Sequence, residues 1–545
     1  MSSLTSLPPG AEESKDVVSQ KILIEGAPLS NEIALAQIIV NKTFNRIASA
    51  RIVMFDGSAS DREFKLSSGS LFKPGNKIEI QLGYHGNVAT VFAGVVVKHA
   101  IKARQKGSSV LVIDAKDPAI KLAIARKRAY FIDKKDSDVI EDLASGFDPD
   151  VSPTSFAHKQ LIQFDATDWD FICTRAEANG MLVLTDDGKL IVKKPTTSGT
   201  AVLKATYGDN IYEFEAEMDA RRQPASVDSA SWDYTKQQLD RSDAGSADLD
   251  ETGDLSSDAL GAVLGAAITL DHPGQMTHEE LQAWSDATAL RSRLSKAVGR
   301  VRIEGNADVK PGSKVTLAGV GDRFNGDVVV TGVLHTYDGN WLTDVQFGWS
   351  EDAFYTRDKV TQAPAAGLLP GVHGLQVGLV LDTDDSQDGQ YRVKVHVPTI
   401  TSGNEGLWAR VATLDAGAKR GSYFRPQRND EVVLGFLAAD PREPIILGYL
   451  HGKNNHEAPL PEDPGKQQSG FVTQNGLKLV FDDSNKRMSL VVPSGTGNKT
   501  ITINDSSGAL ELRDENQNTI KMDGAGITIQ SSKVVTIKGA QVKIN

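Results

Sequence analysis

A chain of 545 residues exceeds what one hydrophobic core serves and points to three or four domains. Its 40% hydrophobic and 24% charged residues are ordinary for a globular protein. A net charge of −12 without a standout Lys/Arg cluster argues against a nucleic-acid footprint. The one cysteine, Cys173, excludes an intramolecular disulfide and a Cys-based zinc knuckle. Inside the apolar stretch Trp169-Asp170-Phe171-Ile172-Cys173 it reads as a buried structural thiol.

The polar tail over residues 1–20 lacks the basic start and apolar stretch of a signal peptide, so synthesis in the cytoplasm without a leader is expected. No apolar run approaches the ~20 residues that span a bilayer. From Lys21 to about residue 115 short strands alternate with turns, as in Lys77-Ile78-Glu79-Ile80-Gln81-Leu82, whose strict alternation predicts a half-buried strand. Helical spacing follows over Pro118 to about Arg128, Ser137–Leu143 and Asp168–Asn179, with Gly180 as the breaker. Strands around Asp186-Asp187-Gly188 carry a hairpin signal. Asp240–Asp258 is acidic and rich in Ser, Gly and Ala, which reads as a surface loop or insertion. Thr277-His278-Glu279-Glu280 is a capping box opening a helix to about Val298, and strands return over Val301–Gly348.

Past a linker at Gln362–Gly367, residues 376–452 suit a small five-strand barrel, with Tyr391–Val397 alternating cleanly. In the last seventy-odd residues, apolar pairs recur two apart: Ile501/Ile503, Leu510/Leu512, Ile520/Met522, Ile527/Ile529, Val535/Ile537 and Val542/Ile544. Strand starts lie about seven to ten residues apart, which is an internal β-repeat. Two buried aliphatic side chains supply roughly 3–6 kcal/mol, whereas ordering seven residues costs about 1–2 kcal/mol each. One unit cannot stand alone. If three chains each give one face, the pairs meet on a common axis and the open edges are paired. The expectation is an intertwined three-chain β-prism, a stiff needle; an exposed meander or a single-chain solenoid is the plainer alternative.

Barrel and repeat together resemble the VgrG spike family of type VI secretion systems and its relatives in contractile phage tails and extracellular injection particles. The sharpest likeness lies in Asp388–Val395, Trp408–Val411, Gly421–Pro426, Asn429–Val432 and Asp440–Gly448, which look like that family's OB-fold barrel. Phe92–Val96, Ala166–Phe171 and Val328–His335 look like the phage hub domain. The resemblance implies a mainly β chain with some α: a phage hub-like double β-barrel domain over 21–360 with helical and acidic insertions at about 116–180 and 220–298, a linker at 361–375, an OB-fold barrel over 376–452, a linker at 453–469 and a triple-stranded β-helix needle over 470–545. It further implies a homotrimer that joins an inner tube ring to a membrane-puncturing needle. The partners expected are baseplate components, a PAAR-like tip protein at the needle end and effector cargo, with no nucleic acid and the target membrane crossed mechanically. The chain would be part of the injection machine's baseplate or tip and be delivered outside the cell or into the target.

The search for chemistry returns no catalytic, cofactor or metal residues. His278-Glu279-Glu280-Leu281-Gln282 begins like a zinc-protease helix, but Gln282 stands where the second ligand belongs. Asp248–Gly253 departs from a calcium loop at Thr252, and Ala259 stands where a bidentate Glu is needed. His451 and His456 read as linker histidines. Gly319-Val320-Gly321, Gly524-Ala525-Gly526 and Asp482-Asp483 read as turns. Only His451–Gly470, extended by Pro459, Pro461 and Pro464, separates barrel from needle, too little for a lysozyme domain. Tyr391, Trp408, Tyr423 and Phe424 could stack on a ligand as in other barrels of this type, but sealing the joint to the needle is the favoured role. A trimeric receptor-binding tailspike or adhesin and a cell-wall carbohydrate-active enzyme are the rival classes; the first calls for a glycan-binding head, the second for a catalytic pair.

Overall fold

The computed structural model describes residues 17–544 except 105, 246–248, 351, 357–359, 361–362, 385–388, 404, 454–456 and 461–466. Of the positions singled out above, most of the N-terminal tail, Asp248, Gln362, Asp388, His456, Pro461, Pro464 and Asn545 lie outside the described residues. The chain divides into two compact units, residues 1–362 and 363–545.

In the first unit a 13-stranded sheet runs through two halves of the sequence. The halves join where Gly326–Tyr337 pairs antiparallel with Leu35–Thr43, setting Gly332 opposite Thr43 and Tyr337 opposite Ile38. Each half keeps its own core. One gathers Ile38, Ile52, Phe72, Ile80, Phe92 and Ile113; the other gathers Val301, Val315, Leu317, Val330, Val345 and Phe347. The alternation read at Lys77–Leu82 is the strand Lys77–Tyr84, with Ile78, Ile80 and Leu82 buried.

An ion network built around buried Lys42 sits at the seam between the halves. Lys42 Nζ donates to Asp186 Oδ1 at 2.5 Å and to Asp187 Oδ1 at 2.9 Å, and Lys310 reaches Asp186 Oδ2 at 2.9 Å. Asp187 also accepts from the Ala93 amide. Burial pushes the Asp186 carboxyl up, but Lys42 and Lys310 outweigh it and hold it below its ordinary value. The turn that presents these carboxylates is the expected hairpin between Leu182–Asp186 and Lys189–Lys193, where Asp187 and Gly188 take φ of +57° and +95°.

Three local expectations need correction. Pro118 to Arg128 is not a helix: a 3-10 turn covers Pro118–Ala123, and Arg126–Lys135 is a strand paired with Ala157–Thr167. Long-range pairing there overrides local helical spacing. The acidic segment is not simply a surface loop: it starts in the strand Gln238–Asp243 and ends in the helix Ser257–Leu264. Its described middle is pinned from inside, since buried Lys296 Nζ donates to Glu251 Oε2, the Thr252 carbonyl and the Leu255 carbonyl, each at 2.9 Å. Third, Tyr391 sits at φ +59°, so the alternating stretch is a strand only over Val393–His396.

The helices at Asp136–Leu143 and Asp168–Ala178 match their spacing, and Cys173 is fully buried on the second beside Ile172 and Ala176. Thr277 caps His278–Ser295 by accepting from the Glu280 amide at 3.2 Å.

The second unit begins with a closed barrel of Gln376–Asp382, Val393–His396, Leu407–Val411, Pro444–Tyr449 and Glu431–Phe436. Its core is Val380, Val393, Val395, Val432, Leu434 and Ile446. A seven-stranded antiparallel meander follows, from Gln468–Val472 to Gly526–Gln530. The pairs Val535/Ile537 and Val542/Ile544 fall after its last strand, in no strand of this chain. Among the described residues no strand edge pairs with them, and a strand without a partner edge leaves its backbone groups unpaired.

Candidate functional site

The meander's register turns a sequence repeat into a surface. Residues directly opposite in an antiparallel pair point to the same face. Following the pairing from strand to strand links Phe471, Leu479, Leu490, Ile501, Leu512, Ile520 and Ile529 into one row. A second row runs Phe481, Met488, Ile503, Leu510, Met522 and Ile527. The reverse face carries Ser489, Thr502, Glu511, Lys521 and Thr528 at facing positions. Seven strands at 4.7–4.9 Å spacing stack these rows over about 30 Å.

Among the described residues the apolar face is largely uncovered, with Val534 and Val535 lining a hollow beside Leu490, Ile501, Leu512, Ile520 and Ile529. Leu479 and Leu510 are part-buried, and the other members of the rows run from 38% exposed at Leu512 to 69% at Ile527. Isolated exposed aliphatics are normal, but two unbroken rows on one face mark an interaction surface. The polar turns between strands are locally held. Asp482, at the end of Lys478–Asp482, accepts from Asn485, Gln468 and Arg487 at 3.0–3.1 Å. Those hydrogen bonds, that of Asn485 foremost, keep its carboxyl below the ordinary range. Asp482 therefore works as a turn residue.

The barrel's aromatic residues divide. Phe424 stacks on Phe471, the first residue of the first row, with centroids 5.4 Å apart and planes 10° from parallel. Tyr449 Oη donates to the Phe424 carbonyl at 2.9 Å. Trp408 lies under the Arg392 guanidinium at 5.8 Å, and Tyr391 and Tyr423 are exposed. Phe424 thus joins barrel to sheet, while the other three do not gather into one stacking platform.

Elsewhere the sequence motifs resolve into structure. In His278–Gln282, Leu281 is buried and Gln282 donates to the Asp243 carbonyl and the Asp286 carboxylate, each at 2.8 Å. Gly319 and Gly321 take positive φ in a turn. The signal that sequence reading missed is a buried charge cluster: Asp136 accepts from Arg175 Nε at 2.7 Å and Arg175 Nη2 at 2.9 Å, from Asn179 at 2.8 Å, and meets His158 at 3.1 Å. Burial pushes the Asp136 carboxyl up, but the hydrogen bonds from His158 and Arg175 outweigh it and hold it well below its usual value. His158, Arg175 and Asn179 lie 22 to 43 residues beyond Asp136 in sequence, outside the reach of any local motif. Among the described residues no group of three or more His, Cys, Asp and Glu is placed to hold a metal ion. No helix among them is long and apolar enough to cross a membrane.

Comparison with known proteins accounts for both units. Residues 376–451 match the type VI secretion system/phage-baseplate injector OB domain, and residues 489–545 match the phage baseplate V C-terminal trimerisation domain. The type VI secretion system spike protein VgrG3 of Vibrio cholerae is 34% identical over 125 residues, 21% of this chain and 12% of that protein. The spike protein VgrG1b of Pseudomonas aeruginosa is 29% identical over 227 residues, 38% of this chain and 29% of that one. The match therefore spans less than a third of either relative's length. A solved tail protein from Neisseria meningitidis aligns at 15% identity and a TM-score of 0.46, covering 62% of this chain and 98% of that one.

Barrel, trimerisation segment and spike relatives define the class: a VgrG-like spike. Residues 14–338, more than half of the chain, match the Alg8 N-terminal domain, and the chain belongs to that family.

Proposed function

We propose that this chain is the structural spike and hub of a contractile injection machine, acting as a homotrimer and not as an enzyme. In this reading residues 21–360 form the hub that docks on the inner tube ring, 376–452 form the joint and 470–545 form the needle. The observation that carries it is the pair of apolar rows on one face of the C-terminal sheet. Covering such rows contributes roughly 1 kcal/mol for each half-exposed aliphatic side chain, a gross gain of order 10 kcal/mol per chain. That exceeds the lower estimates of the cost of association. The match of residues 489–545 to a trimerisation domain supports three copies.

The mechanical role follows from the pairing. Every strand between the first and the last of the sheet is bonded on both sides, so bending it breaks backbone hydrogen bonds. Sheath contraction supplies the energy; this chain supplies stiffness and docking surfaces. A separate tip protein of the PAAR type caps the needle, and effector cargo rides with it. No catalytic, cofactor or metal residues are assigned.

Deleting Lys466–Asn545 tests the reading. Loss of trimers in sedimentation, and of delivery by the assembled particle, is the expected outcome. Delivery at the level of the full chain would refute it.

A further inference from the structure

The barrel's outside is lopsided. Outward positions of a small barrel are ordinarily polar, since its inward positions already form the core. On the wall made by Gln376–Asp382 and Glu431–Phe436 most are not: Leu375, just before the first of these strands, Val377 and Leu379 are exposed, and Val377 faces Val433 across the pair, with Glu431 opposite Leu379 as the polar exception at the wall's edge. Leu447, the extra residue at the bulge where Pro444–Tyr449 pairs with Glu431–Phe436, extends this wall. A Cβ built on Gly435 would meet Leu447 Cδ1 at 3.1 Å and Leu375 Cδ2 at 3.9 Å, so these leucines close over the glycine as one patch. Around the barrel, the wall of Val393–His396 and Leu407–Val411 instead presents Lys394 beside Trp408, then Arg410.

The apolar wall connects to the sheet's rows. Two residues after Leu447, Tyr449 donates to the Phe424 carbonyl, and Phe424 stacks on Phe471, where the first row begins. Leucine wall, aromatic pair and apolar rows form one path along the second unit.

We propose that the barrel wall of Leu375, Val377, Leu379, Val433 and Leu447 is a contact face between copies of this chain. The inference rests on the trimer reading and extends it upstream: the copies that cover the needle rows also close over this wall. The wall of Lys394, Trp408 and Arg410 stays open to solvent. Continuity decides the occupant, because whatever covers Phe471 lies within a few residues of the wall's near end. A partner unrelated to the needle would have to share that end with the neighbouring copies.

Cysteine labelling of the full chain separates the walls. Cys173 is buried and is the chain's one cysteine, so the wild type sets the blank. Leu379→Cys, Leu447→Cys and Arg410→Cys each place a thiol at an outward position without touching the core. In trimers verified by sedimentation, maleimide should label the two wall cysteines about tenfold or more slowly than Arg410→Cys, the scale that burial against a partner imposes. Adding Ile501→Asp and Leu512→Asp to break the needle contacts should bring all three rates together. Verified trimers whose wall cysteines label as fast as Arg410→Cys would overturn this inference and leave the trimer intact. A monomeric wild type would overturn both.

Discussion

The barrel and the C-terminal sheet use the same alternation and bury it differently. In the barrel, Val380, Val395, Val432 and Leu434 are 1% exposed or less, because Gln376–Asp382 pairs with Glu431–Phe436 and shuts the cylinder. In the sheet, Leu490, Ile501 and Met522 occupy equivalent alternate positions and stay more than 40% exposed, because the meander never returns to its first strand. Closure, not hydrophobicity, separates a self-sufficient fold from one that waits for partners. The barrel should therefore stay folded when the copies are diluted apart, whereas the C-terminal sheet's stability should follow concentration.

Breaking the open face should have the largest effect. Ile501→Asp with Leu512→Asp places two facing carboxylates in one row, and complete loss of trimers by sedimentation is expected, with the barrel still folded by near-ultraviolet circular dichroism. Next comes the closed core: Leu434→Ala should cost about 3 kcal/mol in urea unfolding, through lost burial and a residual cavity, while trimers persist.

The first unit supplies a third contrast, a self-contained region that responds to acid. His335 is buried, with its ring 3.0 Å from Thr343 Oγ1. Burial, helped by the nearby Lys42, lowers its pKa to about 3. The folded state thus takes up fewer protons than the unfolded chain below pH 6.5, so the stability it confers is full above that pH and falls as pH drops towards 3. About 2 kcal/mol should be gone by pH 5. Urea titrations at the two pH values measure it, and His335→Gln should flatten the slope. The smallest effect is reserved for the C-terminal sheet's polar face: Thr502→Lys, opposite Glu511, should change stability by less than about 0.5 kcal/mol and leave assembly alone.

Much of this was legible in the sequence where the physics is local. Period-two alternation located the barrel and four of the repeat's pairs, and Thr277, Gly180 and Asp187-Gly188 marked ends and turns by their own backbone chemistry. Distant partners hid the rest. Arg126–Lys135 became a strand because Ala157–Thr167 lies alongside it. The acidic segment is ordered by Lys296, more than forty residues downstream of Glu251. The two rows appear only once the register is known, since each row takes one member from each of the four paired repeats. Val535/Ile537 and Val542/Ile544 carry the pattern without a strand, as alternation states a capacity for pairing and not its fulfilment.

Hydrogen exchange of the full chain, followed by mass through a dilution series, tests the central claim most directly. Three-fold mass with protected amides over residues 487–530 at high concentration, and joint loss of both on dilution while the barrel's amides stay protected, is the predicted result. A one-chain species that keeps residues 487–530 protected would contradict it.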